Sequence, residues 1–206
     1  QIATKHGEEK MADSLALGID LGGSKIYAVV TDKANHVIAD AKSPTDPSVG
    51  PEETALAMKE TALAALGKLS LSLDDVSCFG AAIPSPVDPV TGDCLHAVNL
   101  GRKKASMLKI MKDTFGHDFK LGNDGNLGQL GEHFVGAAKG FHSSVGYFIG
   151  TGLGGGIIIE NKLLTGNKGL AGELGHAVIK AGGRRCGCGH RGCAEAYCSK
   201  KAFVKA

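Results

Sequence analysis

Three cysteines fall within eight positions of the chain, as Cys186, Cys188 and Cys193. The glycines between them allow short turns, so the three sulfur atoms can converge on one point. Three thiolates and one imidazole form the closed tetrahedral set that zinc takes in structural sites. We predict a zinc site here, with His176, ten residues before the first cysteine, as the fourth ligand and His190, inside the loop, as its rival.

Free thiols or disulfide partners are the alternative interpretation of these cysteines. The Cys-x-Cys pair, however, is too close along the chain to bridge to itself comfortably. The chain has six cysteines and no apolar secretory segment at its start, which indicates a reducing cytosol. Zinc is therefore the stronger interpretation, and we expect a cytoplasmic protein.

Two glycine-rich turns are candidate phosphate sites, because glycine lets backbone N–H groups crowd toward an anion. One is Asp20-Leu21-Gly22-Gly23, and the other spans residues 150–156. For Gly22 and Gly23 alone, a plain hairpin turn without a ligand is the stronger interpretation. For the seven-residue turn at 150–156 a phosphate site is the stronger interpretation, because a plain hairpin needs only one or two glycines. The chain has no P-loop run, and an apolar strand follows the second turn where a dinucleotide fingerprint needs a helix. Beside a phosphate, Asp20 would hold hydrated Mg²⁺.

Three acidic residues are candidates for binding or acid–base chemistry. Asp124 follows Asn123 where a short strand gives way to a helix, and a plain N-cap competes there with a general base. Glu173 and His176 are three positions apart, so one helical turn would put them on one side. A zinc ion joining the cysteines to His176 would bring Glu195 close to Glu173. Paired carboxylates of this kind suit a polyhydroxylated ligand.

The elements that must position these residues alternate between strands and helices. We predict strands at residues 15–19, 26–30, 37–39, 76–83, 94–100, 119–121, 145–149 and 157–160, and helices at 51–67, 104–115, 127–138 and 194–206. The two glycine hairpins form an approximate internal repeat. The repeat predicts an N-terminal α/β lobe at 15–122 and a partial C-terminal one at 123–206, facing each other across a ligand cleft. Residues 1–14 are polar and aperiodic, as in a disordered tail or an expression remnant.

The composition limits the classes of partner. Of the 206 residues, 43% are hydrophobic and 21% are charged, and the formal net charge is only +2. No basic block exceeds a few residues, so nothing indicates nucleic acid as a partner. The longest apolar runs are too short to span a bilayer, so we expect no membrane partner either.

Together these motifs resemble those of the ROK family (repressors, open reading frames and kinases) and, within it, the sugar kinases. They occur in family order as Ile19-Asp20-Leu21-Gly22-Gly23, Asn123-Asp124-Gly125-Asn126, Gly150-Thr151-Gly152-Leu153-Gly154-Gly155-Gly156, Glu173-Leu174-Gly175-His176 and Cys186-Gly187-Cys188-Gly189 through Gly192-Cys193-Ala194-Glu195. The resemblance covers nearly all of residues 15–206. It implies an α/β, two-lobed actin-like or hexokinase (ribonuclease H-like) fold, with a sugar in the cleft and the second lobe incomplete in this chain.

The resemblance also implies an activity, its cofactors and the role of each site residue. Asp124 would be the general base in the ATP-dependent phosphorylation of a hexose, glucose or a related sugar, at its 6-hydroxyl. The implied cofactors are ATP, Mg²⁺ and a structural Zn²⁺, and the implied assembly is a homodimer. The sugar would be held by Asn99, Asn123, Asp124, Glu173, His176 and Glu195; the ATP phosphates and Mg²⁺ by Asp20, Gly22, Gly23, Lys25, Thr151 and Gly152; and the zinc by His176, Cys186, Cys188 and Cys193.

Three departures from the family pattern stand out. Ser85 occupies a Pro-Ser-Pro-Val-Asp loop where the family commonly has Gly, which would tune the sugar pocket. Gly125 stands where many members have Ala, a change we expect to be minor. The chain stops at Ala206, whereas family kinases run on through the adenosine pocket. We therefore expect the 206-residue chain alone to bind ATP weakly.

Two other classes of function stay open. A sugar-responsive transcriptional regulator of the same family would have a helix-turn-helix segment ahead of the first glycine hairpin, and too few residues precede Leu15 for one. A non-catalytic sugar-binding protein would not need the Asp124 carboxylate. The sugar itself is not identified, because kinases for glucose, fructose, mannose, N-acetylglucosamine and N-acetylmannosamine share these motifs.

Overall fold

The computed structural model describes residues 14–88, 91–94 and 106–204. The elements in that part are β1 (Leu15–Leu21), β2 (Lys25–Thr31), β3 (Val37–Pro44), α1 (Pro51–Gly67), β4 (Val76–Ile83), α2 (Met107–Phe115), β5 (Lys120–Asn123), α3 (Asp124–Phe134), β6 (Ser144–Ile149), β7 (Leu153–Ile159), β8 (Lys162–Leu163), α4 (Glu195–Cys198) and α5 (Lys200–Val204). Single 3₁₀ turns lie at Leu73–Asp75 and Leu174–His176. Among these elements, no helix combines the length and hydropathy that crossing a bilayer requires.

The described residues form two compact units. The first comes from the described residues of 14–85 and 91–121, and the second from residues 86–88 and 122–204. A five-stranded sheet in the order β3-β2-β1-β4-β5 begins in the first unit, and a three-stranded sheet in the order β6-β7-β8 lies in the second. Each sheet contains an antiparallel hairpin with a glycine-containing turn. This hairpin is β1–β2 in the five-stranded sheet and β6–β7 in the three-stranded sheet.

The core of the first unit follows from the alternation of side chains along its central strands. The buried positions of β1 and β2 are every second residue, at Leu17, Ile19, Leu21, Ile26, Ala28 and Val30. β1 pairs antiparallel with β2 and parallel with β4. Helix α1 covers this sheet with its own buried face, which includes Ala55, Met58 and Ala62. α2 ends at Gly116, whose φ of +76° is the left-handed conformation of a helix C-terminus.

In the second unit, helix α3 packs against a part of strand β7 that consists of glycine. Residues 154–156 of β7 are all glycine and pair with β6. A Cβ on Gly156 would lie 2.5 Å from Cβ of Gln129 in α3, and one on Gly125 would lie 2.7 Å from the carbonyl oxygen of Gly155. Glycine at these positions therefore lets α3 approach β7 at backbone distance.

This packing corrects the predicted seven-residue turn at 150–156. β7 begins at Leu153, so the turn is limited to residues 150–152 and the later glycines belong to the strand. The prediction was wrong because it treated a run of glycines as loop, whereas here glycine provides close packing between helix and strand.

Other predicted boundaries also shift. The helix predicted at 127–138 is α3, which begins three residues earlier, at Asp124, and ends at Phe134. The single helix predicted at 194–206 is two helices, because Ser199 is extended (φ −83°, ψ 160°). The start of the helix predicted at 104, most of the strand at 94–100 and nearly all of the tail at 1–14 lie outside the described residues.

Candidate functional site

Asn123 and Asp124 have different roles at the start of α3: Asn123 caps the helix, and Asp124 presents a carboxylate. Oδ1 of Asn123 caps the helix by accepting a hydrogen bond from the backbone N–H of Asn126 at 3.1 Å. Oδ1 of Asp124 accepts hydrogen bonds from Nδ2 of Asn123 at 3.0 Å and from the N–H of Gly125 at 2.8 Å. The N-cap is thus Asn123, and its amide orients the neighbouring carboxylate.

The surroundings of two carboxyl groups raise their pKa values. Asp124 is accessible to solvent, yet the protein atoms around it desolvate the carboxylate and raise its pKa, against the hydrogen bonds from Gly125 and Asn123. Burial likewise raises the pKa of Glu173; the charge of His176 opposes this, and the charges of Asp124 and Glu195 add to it. Asp124, Glu173 and Glu195 therefore form one cluster of interacting acids.

His176 lies between this acidic cluster and the cysteines. It ends the 3₁₀ turn that follows Glu173, and its Nε2 lies 4.0 Å from Oε2 of Glu173. Its Nδ1 lies 3.7 Å from Sγ of Cys186. The side chains of His176 and Glu173 are 38% and 40% exposed, so both remain accessible to a ligand.

The predicted metal ligands converge. The ligand atoms of His176, Cys186, Cys188 and Cys193 all lie within 4.8 Å of one another, and Sγ of Cys188 is 3.7 Å from Sγ of Cys193. A tetrahedral zinc site with Zn–S bonds of about 2.3 Å has sulfur–sulfur edges of about 3.8 Å, so the donor set fits zinc. His190 contacts Cys188, with Nδ1 3.6 Å from Sγ, but does not belong to the set of four.

The backbone of the cysteine loop explains its glycines. Gly189 and Gly192 adopt φ values of +95° and +85°, the left-handed region that glycine tolerates. A Cβ on Gly192 would lie 1.8 Å from the carbonyl oxygen of Lys180. An isolated bridge pairs Val178 with Cys193, so the segment just after His176 is tied to the third cysteine.

Glu195, the first residue of α4, reaches the turn between β6 and β7. Its Oε2 accepts a hydrogen bond from the backbone N–H of Leu153 at 3.0 Å, and its Oε1 accepts one from Sγ of Cys186 at 3.5 Å. A Cβ on Gly152 would lie 2.5 Å from the same Oε2. The family resemblance predicts a sugar-binding role for Glu195, but no sequence signal indicates its bond to Leu153, 42 positions away.

The two glycine turns differ in how they are held. In the second unit, Gly150 donates to the carbonyl of Gly152 at 3.0 Å and accepts from the N–H of Lys200 at 2.9 Å, with Thr151 exposed at the tip. In the first unit, Gly22 donates to the carbonyl of Lys25 at 2.9 Å.

The remaining predicted site residues are distributed as follows. In the first unit, Asp20, Gly23 and Lys25 are exposed beside the turn. Asn99 lies outside the described residues. Ser85 is only 2% exposed, so its hydroxyl contacts protein rather than open solvent.

Comparisons with known proteins identify relatives of this chain. The chain is 31% identical over 193 residues to a glucokinase of Streptomyces coelicolor, covering 93% of this chain and 58% of that protein. It is 30% identical over 190 residues to a xylose repressor of Bacillus spizizenii, covering 92% and 49%. The chain thus spans about half to nearly three fifths of the length of these relatives.

A solved structure shows the same fold. It is a ROK family glucokinase from Streptomyces griseus in complex with glucose and AMPPNP, 33% identical, with a TM-score of 0.82 over 93% of this chain and 59% of that chain. This match confirms the predicted α/β fold of the actin-like, hexokinase type. The ROK family model matches residues 16–206. The chain belongs to the ROK family.

Proposed function

We propose that this protein transfers the γ-phosphoryl group of ATP to a hexose, glucose or a related sugar, at its 6-hydroxyl. The observation that most supports the proposal is the carboxylate of Asp124, oriented by Asn123 and by the N–H of Gly125 beside two further acids. The glucokinase relatives support the same reaction class.

In this proposal Asp124 is the general base. It accepts the proton of the sugar hydroxyl as that oxygen attacks the phosphorus atom. Desolvation raises the pKa of Asp124, which makes its carboxylate a stronger base than that of an ordinary aspartate. Phosphoryl transfer needs mainly positioning and charge stabilisation, so a single oriented base is sufficient to accept the proton of the sugar hydroxyl.

The other acids would bind the sugar. Glu173 and Glu195 offer acceptors to hydroxyl groups, and Nε2 of His176 lies on the same side as Glu173. Asn123 is already committed through Oδ1 to the helix cap and through Nδ2 to Asp124. Its contribution to sugar binding would therefore be mainly indirect, through the orientation of Asp124.

Nucleotide binding would use the two glycine turns. Backbone N–H groups at Gly22, Gly23, Thr151 and Gly152 would contact phosphates, and Asp20 and Lys25 would lie near Mg²⁺ and the phosphates. The complex of the Streptomyces griseus glucokinase with AMPPNP supports ATP as the cofactor. Thr151 and Gly152 donate no backbone hydrogen bond within the described part of the chain, so both amides are available for an anion.

A structural Zn²⁺ fits the four donors His176, Cys186, Cys188 and Cys193. When bound, it would cross-link the cysteine loop to the turn that holds Glu173 and so fix the sugar-binding acids in place. The family resemblance also implies a cytoplasmic homodimer that binds neither nucleic acid nor membrane, and these stay predictions.

A sugar-responsive regulator is the second candidate, supported by the xylose repressor relative, which matches 92% of this chain. The two candidates share a sugar site but differ in whether Asp124 performs chemistry. Sugar binding without phosphorylation would favour the regulator.

A coupled assay with ATP, Mg²⁺ and a sugar panel tests the proposal. The panel contains glucose, fructose, mannose, N-acetylglucosamine and N-acetylmannosamine, and the variants are wild type and Asp124→Ala. We expect one sugar to be phosphorylated and the variant to lose about 10²–10⁴-fold in rate, the usual contribution of a general base. Equal rates in the two proteins would refute the mechanism.

A further inference from the structure

Glu195 joins two regions of the second unit that the proposed function treats separately. One carboxylate oxygen binds the N–H of Leu153, the first residue after the turn at 150–152, at 3.0 Å. The other lies 3.5 Å from Sγ of Cys186, a member of the candidate metal set. The thiol donates this hydrogen bond only without metal, because a metal ligates the thiolate, so the link to the cysteine loop that persists with metal is the backbone described below. The same side chain therefore contacts the turn and the metal cluster.

The turn has few supports of its own. It is closed by a single bond from the N–H of Gly150 to the carbonyl of Gly152, at 3.0 Å, among the residues that the structure describes. From outside, the N–H of Lys200 bonds the carbonyl of Gly150 at 2.9 Å, and Glu195 bonds Leu153. Both outside contacts come from the α4–α5 segment, so that segment determines where the turn sits.

The approach of Glu195 to the turn depends on Gly152. A Cβ at that position would lie 2.5 Å from Oε2 of Glu195, inside the contact distance of the two atoms. A glycine at residue 152 thus allows a charged acceptor to lie directly against the backbone. The bond it makes to Leu153 is charge-assisted and correspondingly strong.

The position of Glu195 depends in turn on the cysteine loop. Cys193, two residues earlier, is fully buried, and its backbone forms an isolated antiparallel β-bridge with Val178. The N–H of Ala194 bonds the carbonyl of Ala177, the residue after His176, at 2.9 Å. Whatever fixes His176 and Cys193 relative to each other therefore fixes the backbone that presents Glu195.

We propose that Glu195 is a positioning residue for the turn at 150–152, and that through it metal binding at the cysteine loop raises the affinity of that turn for nucleotide phosphates. The inference rests on the proposed function in one respect, that the turn binds phosphate. Because coupling between two binding sites is reciprocal, nucleotide must also tighten metal binding. The role is structural support of the turn, separate from contact with sugar.

Hydrogen–deuterium exchange and nucleotide titration together test the proposal on the 206-residue chain. The variants are Glu195→Ala, Glu195→Gln and, as a matched control, Glu160→Gln, an exposed acid of the second unit that makes no hydrogen bond to the turn or to the candidate metal ligands among the described residues. Each is measured with ZnCl₂ and after treatment with EDTA. Exchange is followed at residues 150–154, and affinity is measured with a fluorescent ATP analogue in the absence of sugar.

We expect Glu195→Ala to speed exchange of the Leu153 amide and to weaken binding of the ATP analogue about tenfold, the size expected for one lost hydrogen bond to a charged group. Glu195→Gln retains an acceptor and should restore most of the protection. Glu160→Gln should leave both readouts at wild-type values. EDTA should shift the wild type toward Glu195→Ala and have little further effect on that variant.

Unchanged exchange at Leu153 and unchanged nucleotide affinity in Glu195→Ala would overturn the inference while leaving the kinase proposal intact. If the wild type binds the ATP analogue equally tightly with ZnCl₂ and after EDTA, the proposed coupling to the metal is overturned. A wild-type chain that binds sugar but no ATP analogue under either condition would overturn the nucleotide part of this inference, whereas the kinase proposal is refuted separately, by equal phosphorylation rates of wild type and Asp124→Ala.

Discussion

Nε2 of His176 faces Oε2 of Glu173 at 4.0 Å while the other ring nitrogen faces Cys186 at 3.7 Å. One imidazole thus has the candidate metal cluster on one side and a candidate sugar-binding acid on the other. A metal ligand whose second nitrogen meets a carboxylate is held in both orientation and tautomer. A change in the cysteine loop would therefore alter the orientation of His176 toward Glu173.

Loss of one thiolate ligand should remove metal and sugar binding together. We expect Cys188→Ser to retain less than one equivalent of zinc and to bind sugar at least tenfold more weakly, because His176 loses its fixed orientation toward Glu173. Zinc content is measured by elemental analysis and sugar affinity by isothermal titration. Cys78→Ser, a free cysteine outside the cluster, is the control. Sugar binding that survives loss of the metal would mean that the loop only stabilises the fold.

The two histidines near the thiols should differ in their effect on metal affinity. His176→Ala removes a member of the converging set and should weaken zinc binding at least tenfold, whereas His190→Ala should leave the affinity close to wild type. Competition with a chromogenic chelator measures both. A larger loss in His190→Ala would make His190, which contacts Cys188, the fourth ligand.

The pH dependence of activity should follow Asp124. Since desolvation raises its pKa, the rate should begin to fall on acidification at a higher pH than for an ordinary aspartate, whose pKa is about 4. A profile of kcat/KM against pH for the preferred sugar measures this limb. An acid limb centred at or below the ordinary value would contradict the assignment of Asp124 as the base.

The charge of Asp124 should also lower the free energy of unfolding at neutral pH. With a raised pKa the folded state binds more protons than the unfolded state between the ordinary and the raised pKa, so stability falls as pH rises through that window. Asp124→Asn removes the charge, so we expect a higher Tm than wild type at pH 7 and a difference that shrinks below about pH 4. A variant less stable than wild type at pH 7 would show that the hydrogen bonds to Oδ1 outweigh the desolvation.

Two glycines of α3 should respond oppositely to alanine. Gly125→Ala would place a Cβ 2.7 Å from the carbonyl oxygen of Gly155 and should destabilise the chain by about 1–3 kcal/mol. A Cβ on Gly131 would have no described atom within 4 Å, so Gly131→Ala should stabilise by about 0.5–1 kcal/mol through helix propensity. Urea unfolding measures both, and equal free energies of unfolding would contradict the packing argument.

Local patterns predicted much of the fold. The hairpin β1–β2, helix α1 from Pro51 to Gly67 and strand β4 all follow from residue spacing and from turn or cap residues adjacent in sequence. The convergence of His176 with the cysteines was also predictable, because three closely spaced cysteines and one histidine are a donor set typical of structural zinc sites. In each case the decisive information lies within a few residues or in one chemical requirement.

The remainder depends on neighbours distant along the chain. The glycines of β7 resemble a turn in sequence because only the position of α3 reveals them as packing surface. The break at Ser199 leaves the N–H of Lys200 bonded to the carbonyl of Gly150, a partner that local helix propensity does not include. The bond from Leu153 to Glu195 joins residues 42 positions apart and has no counterpart in any motif spacing.

The bare strand of glycines beneath α3 also limits how the specificity of this protein can be engineered. A mutant library that diversifies Gly125, Gly155 or Gly156 would mostly sample clashes, because each added side chain meets backbone or a neighbouring side chain. Productive diversity has to enter through the segments around Glu173 and the cysteine loop, whose side chains are more exposed. A library confined to those segments would therefore vary the surroundings of Glu173 while the helix that presents Asp124 stays fixed.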